Sequence, residues 1–159
     1  TRAPRPHETD GVHYHFLSTT EFDARIELGE FVEYEEVYPG LRYGTLVAEV
    51  ARATPEAPVL LDIDVRGALR VKEIFGGDAM AVFVAPPSFE ELATRLYARG
   101  TESEAAVEMR LDRARHEMTW RDSFDRVVVN DDLERASAEA ITLITRFLQP
   151  ESEKGANPS

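Results

Sequence analysis

The tightest constraint on the fold lies in residues 59–67, Val-Leu-Leu-Asp-Ile-Asp-Val-Arg-Gly, where a short apolar run acquires Asp62 and Asp64 and then gives way to a helical pattern. Such a run predicts a buried parallel strand whose carboxyl end opens onto a site. Strand side chains alternate sides, so Asp62 and Asp64 are expected on one face, where they can hold a hydrated cation or accept N–H donors from a ligand. An exposed strand end carrying two solvated acids is the alternative, and spacing alone leaves both open.

The rest of the chain alternates strand and helix signals. Residues 1–11, with prolines at 4 and 6, form an arm that cannot be helix, and Arg2 and Arg5 lie close together on it. Two planar guanidiniums on an extended arm suit phosphate oxygens. Residues 12–17 predict a strand, and Ser18-Thr19-Thr20-Glu21 a capping box opening a helix that Gly29 ends, with Phe22 and Ile26 inward. A strand over 30–37, a Pro39-Gly40 turn and a helix over 46–53 follow.

Beyond the aspartates, the pattern predicts a helix over 67–75 and a strand over 79–84, apolar enough to be covered on both faces. Ser88 with Glu91 and Thr101 with Glu104 are further capping boxes, the second opening a long helix with Val107, Leu111, Ala114 and Met118 on one side. Its other side is basic, with Arg110, Arg113 and Arg115, and Arg95 and Arg99 precede it. A strand over 126–130 and an amphipathic helix over 133–148 complete the order, and residues 150–159 are expected to be disordered. Strands alternating with helices indicate an α/β domain on a parallel sheet.

Composition excludes several classes. At 159 residues and 43% hydrophobic content the chain can bury one core, and a formal net charge of −12 opposes binding to nucleic acid or an anionic membrane. No cysteine is present, so disulfides and thiolate metal sites are excluded and a reducing cytoplasm is compatible. No apolar run is long enough to span a bilayer as a helix. His13 and His15 point to one strand face, but no third metal ligand lies near them in sequence.

Taken together, the Thr-Arg-x-Pro-Arg arm, Asp10-Gly11-Val12-His13-Tyr14-His15-Phe16, Gly29-Glu30-Phe31-Val32-Glu33, Tyr43-Gly44-Thr45, Leu61-Asp62-Ile63-Asp64-Val65-Arg66-Gly67, Ala85-Pro86-Pro87-Ser88, Arg99-Gly100-Thr101 and Val129-Asn130-Asp131-Asp132 resemble the guanylate kinases. The resemblance runs from residue 1 to about 148 and implies phosphoryl transfer from ATP to GMP with Mg²⁺. The implied fold is a P-loop kinase-like parallel sheet with helices on both faces, a small mixed β GMP-binding lobe and a helical lid. The lobe and a return helix would take residues 1–54, the core 55–93 and 122–149, and the lid 94–121. Such kinases begin with a strand, a Gly-x-x-x-x-Gly-Lys-Ser/Thr phosphate loop and a helix, none of which occurs here. The sequence is therefore expected to be an incomplete record of a longer kinase, since without that loop phosphoryl transfer is not expected.

The resemblance also implies residue roles. Arg2, Arg5, Tyr14 and Tyr43 would hold the GMP phosphate, two cations and two phenols converging on a dianion. Glu33 would accept from the guanine ring N–H and amino group, with Thr45 near the carbonyl oxygen, so that adenine leaves a buried carboxylate unpaired. Asp64 would reach the guanine amino side, and Asp62 would lie nearer the phosphates and metal, either one acting through water. Arg95, Arg99 and Arg110 would neutralise the phosphoryl group in flight, and Asn130 would lie beside the adenine of ATP. From spacing alone, the same arginines also fit a solvated helix face paired with Glu104 and Glu108. Rival readings are a guanylate-kinase-like domain used only for GMP or protein binding, and a sugar-bisphosphate kinase of the same fold.

Overall fold

The computed structural model describes residues 1–98 and 103–149. Contacts divide the chain into two compact units, Thr1–Ala79 and a second beginning at Met80.

The first unit is built on a hairpin. Helix α1 (Thr19–Glu27) opens on the expected capping box: Ser18 Oγ accepts from Glu21 N–H at 3.2 Å, and the Glu21 carboxylate accepts from Ser18 N–H at 2.8 Å. It closes before Gly29, whose φ of +68° is the left-handed geometry that favours glycine after a helix. Strands β1 (Phe31–Tyr38) and β2 (Leu41–Leu46) pair antiparallel with Glu33 opposite Thr45. Phe22 of α1, 3% exposed, stacks on Phe31 at 4.5 Å between ring centroids and meets Tyr34 edge-on, so the helix covers one face of the hairpin.

The sequence expectations need correction at four places in this unit. Residues 12–17 form no strand: Gly11 N–H bonds Tyr14 O, and Val12 and His13 N–H groups both donate to Thr9 O, so the segment curls into a turn with one isolated bridge between Asp10 and Tyr14. The helix expected over 46–53 is only α2 (Val47–Val50), because residues 41–46 are claimed by the hairpin as β2. Residues 59–64 are extended but pair with no strand among the described residues, and Leu60 is 84% exposed. A ladder needs a partner edge, and apolar composition does not supply one. Helix α3 (Val65–Phe75) begins two residues earlier than expected, because Asp64 caps it: Oδ1 accepts from Arg66 N–H at 2.9 Å and Gly67 N–H at 3.2 Å.

The second unit carries the parallel element of the α/β pattern. Strands β3 (Val82–Ala85) and β4 (Arg126–Val129) run parallel in register, Val82 opposite Arg126 through Ala85 opposite Val129. Ala81, Phe83 and Ala85 are buried on one face; on the other, Val128 is buried but its register partner Val84 is 60% exposed, so that face of β3 is not fully covered among the described residues. Helix α6 (Leu133–Leu148) packs on β4, and helices α4 (Phe89–Ala98) and α5 (Glu104–Met118) pack on each other, with Val107, Leu111 and Ala136 buried. Thr101, expected to cap α5, lies outside the described residues; the cap is Ser103, whose Oγ accepts from Ala106 N–H at 3.3 Å. Residues 150–159, expected to be disordered, also lie outside them. No helix among the described residues is long and apolar enough to cross a membrane.

Candidate functional site

The first unit holds a cleft of about 660 Å³, a volume suited to a small ligand. Seven of the eight residues assigned from sequence to GMP line it: Arg2, Tyr14, Glu33, Tyr43, Thr45, Asp62 and Asp64. The eighth, Arg5, is exposed and does not line the cleft; its backbone N–H donates to Glu8 Oε2 at 2.7 Å.

At one end of the cleft sits a buried carboxylate. Glu33 is 6% exposed and Thr45 8%, and their cross-strand pairing brings Thr45 Oγ1 to donate to Glu33 Oε1 at 2.5 Å. Burial pushes the Glu33 carboxyl above the usual range and the neighbouring Asp64 charge adds to the shift, while the Thr45 hydroxyl acts against it. A carboxylate held out of water with one oxygen fixed is poised to accept from paired N–H donors, and it leaves a ligand without them to bear its desolvation. Asp64 serves two purposes, capping α3 and lining the cleft, and Asp62, two residues back on the extended segment, is exposed in the same cleft.

A fixed cation lines the same cleft. Arg2 Nη1 and Nη2 donate to Glu8 Oε2 and Oε1, each at 2.6 Å, and the guanidinium lies over the Tyr14 and Phe16 rings at 5.2 and 5.5 Å. Tyr14 and Tyr43 meet edge-on with centroids 6.4 Å apart, so the two phenols and the guanidinium form one cluster. The Glu8 fork raises the Arg2 pKa further above its already high value, and in return Arg2 lowers the Glu8 carboxyl to about 2.

The residues assigned to the ATP side lie in the second unit. Arg95 Nε pairs with Glu91 at 2.8 Å, and its Nη1 donates to Asn130 O at 2.7 Å, fixing the loop between β4 and α6. Arg95 and Asn130 are therefore brought together. Arg110 lies on α5, half-buried, and Arg99 falls outside the described residues. Of the three arginines, Arg95 pairs with Glu91 rather than with Glu104 or Glu108; elsewhere on the helices Arg113 bonds Glu117, Arg115 bonds Asp112, and Glu108 accepts from the Tyr97 hydroxyl. His13 Nδ1 accepts from Thr9 N–H and His15 faces Glu49, so the two histidines have different partners.

The guanylate kinase family model matches residues 1–147. The chain belongs to the guanylate kinase family. A guanylate kinase of Salinibacter ruber is 59% identical over 148 residues, covering 93% of this chain and 79% of that protein. One from Bacteroides thetaiotaomicron is 47% identical, covering 95% and 74%. The crystal structure of guanylate kinase from Anaplasma phagocytophilum superposes with a TM-score of 0.77 at 31% identity, covering 96% of this chain and 73% of that one.

Two features of this cleft are not legible in the sequence. Glu8 was not singled out, because one acid among thirty Asp and Glu residues carries no signal until its fork on Arg2 is seen. Gly67 was noted only as the end of a motif, although it lies against Glu33, thirty-four residues earlier in the chain.

Proposed function

We propose that the cleft of the first unit is the GMP site of this guanylate kinase family member, and that Arg95, Arg99 and Arg110 serve its phosphoryl transfer. The reaction passes the γ-phosphoryl group of ATP to GMP: an oxygen of the GMP phosphate bonds to the γ-phosphorus, the bond to the β-phosphate oxygen breaks, and ADP and GDP result. No general base is needed, because the attacking phosphate oxygen is already anionic, so catalysis is positioning and charge neutralisation.

The observation that carries this reading is the Glu33 carboxylate, buried and held by Thr45 at 2.5 Å in a cleft that Arg2, Tyr14 and Tyr43 also line. An acceptor carboxylate and a cluster of donors in one cleft suit a nucleoside monophosphate with an N–H pair on its base. Arg2 has five N–H donors and spends two on Glu8 and one on Ala3 O, so donors remain for a phosphate, with the phenols adding direction. Arg5 contributes a second positive charge from the arm's surface. Asp64 faces the guanine amino side from the N-cap of α3, and Asn130 stands beside the adenine of ATP.

The family uses ATP with a divalent metal, and we infer Mg²⁺. The all-oxygen set of Asp62 and Asp64 fits a hard cation that keeps most of its own water. Both residues would hold it through water, and the ion would supply charge neutralisation on the nucleotide phosphates. The proposed setting is the cytoplasm, where both nucleotides are available, and the net charge of −12 argues against a nucleic-acid partner.

Calorimetric titration with GMP tests the site. Wild type is expected to bind, and Glu33→Gln to bind on the order of 10- to 100-fold more weakly, since one charge-assisted contact becomes an amide facing an amino group. No heat with wild type, or equal affinity in the variant, refutes the assignment.

A further inference from the structure

The three heavy atoms nearest to a Cβ built on Gly67 all belong to the Glu33 side chain: Oε2 at 2.6 Å, Cδ at 3.0 Å and Cγ at 3.5 Å. An alanine methyl there would press first on the Glu33 carboxylate. The glycine is not needed for its backbone, since its φ lies outside the left-handed region and it occupies the first turn of α3, where alanine is a better helix former. Its backbone is pinned instead by Asp64, whose Oδ1 accepts from the N–H groups of Arg66 and Gly67. The two oxygens of Glu33 are thus set from opposite sides: Thr45 holds Oε1 by a hydrogen bond, and the missing side chain at Gly67 makes room for Oε2.

We propose that Gly67 is a specificity-determining positioning residue, which keeps the Glu33 carboxylate seated against the first turn of α3 at the reach required for a guanine N–H pair. The inference rests on the reading of Glu33 given above. Asp64 takes part by fixing the turn on which Gly67 sits, so the cap of a helix sets the clearance of a base-reading group on a different element. A displacement of a few tenths of an ångström lengthens both hydrogen bonds to the base and leaves the phosphate end unaltered.

The test is Gly67→Ala in the full chain, with titrations of GMP and of ribose 5-phosphate, which carries the phosphate without the base, and a thermal melt. GMP affinity is expected to fall on the order of tenfold or more, ribose 5-phosphate affinity to stay within twofold, and the melting temperature not to fall. Glu33→Asp in the Gly67→Ala background withdraws the carboxylate by one methylene and relieves the clash, so it is expected to cost far less than in wild type. Equal weakening of both ligands, GMP affinity unchanged, or fully additive losses would overturn the proposal. Glu33→Gln, measured alongside, separates the two failures: if it too leaves GMP binding unchanged, the assignment of Glu33 is at fault, and if it alone weakens binding, the role of Gly67 is.

Discussion

Thr45→Val isolates the bond that holds the base-reading carboxylate. Valine has nearly the shape of threonine, so no cavity opens, and what is lost is the hydroxyl that donates to Glu33 Oε1 at 2.5 Å with both residues buried. A hydrogen bond to a charged group contributes about 1.5–3 kcal/mol, against about 0.5–1.5 kcal/mol between neutral groups. For a chain of this size about 2 kcal/mol corresponds to a fall of about 4–8 °C in melting temperature.

The loss should also depend on pH. Burial raises the folded-state pKa of Glu33 above its ordinary 4.5, so its contribution to stability is fully present below that value and lost as pH rises through the folded pKa. The Thr45 hydroxyl opposes this rise, so its removal lifts the folded pKa further and deepens the loss at higher pH. Melts followed by circular dichroism should therefore show a gap between wild type and Thr45→Val that is wider at about pH 8 than at about pH 5. A gap of the same size at both, or no gap at all, would refute the view that Glu33 is ionised in the folded protein and held by this hydroxyl.

Glu8→Gln bears on the opposite side of the pH scale. The Glu8 carboxyl is lowered to about 2 by its fork with Arg2, so its contribution is present above the ordinary value of 4.5 and lost as pH falls through about 2; urea denaturation across that interval should fall steeply for wild type and less for the variant. Ser18→Ala removes one half of the α1 capping box and should lower stability by about 1 kcal/mol, read as a lower urea midpoint at unchanged slope, while GMP affinity stays the same because Ser18 does not line the cleft.

Helices were legible in the sequence where their ends were marked by local chemistry. The Ser18–Glu21 box and the Leu133–Leu148 helix behind Asp132 appear where their caps put them, because a cap acts within a few residues of itself. Strands were less legible. Residues 59–64 and 12–17 have strand-like sequences but no ladder, whereas residues 41–46, interrupted by Arg42 and Gly44, pair fully with β1. A strand is a property of two segments, and only one of them is visible in any window of sequence.

The candidate site divides along the same line. Seven of the eight GMP-site residues were recognisable by motif and line the cleft together, but the Glu8 fork and the Gly67 clearance depend on pairs brought together by folding. Arg5 carries the same motif, but it stands exposed outside the cleft lining while its backbone N–H donates to Glu8.

The fork between Arg2 and Glu8 makes the phosphate end of the cleft a neutral pair before any nucleotide arrives. Glu8 acts as a resident counterion, keeping the arginine extended and oriented in a chain whose overall charge of −12 would otherwise offer it many competing acids. An incoming phosphate thus meets a cation whose field is already largely cancelled beyond a Debye length of about 8 Å. Long-range attraction to this pair therefore contributes little to its capture. The arm selects phosphate at contact, through the direction of its remaining N–H groups and the two phenols beside them.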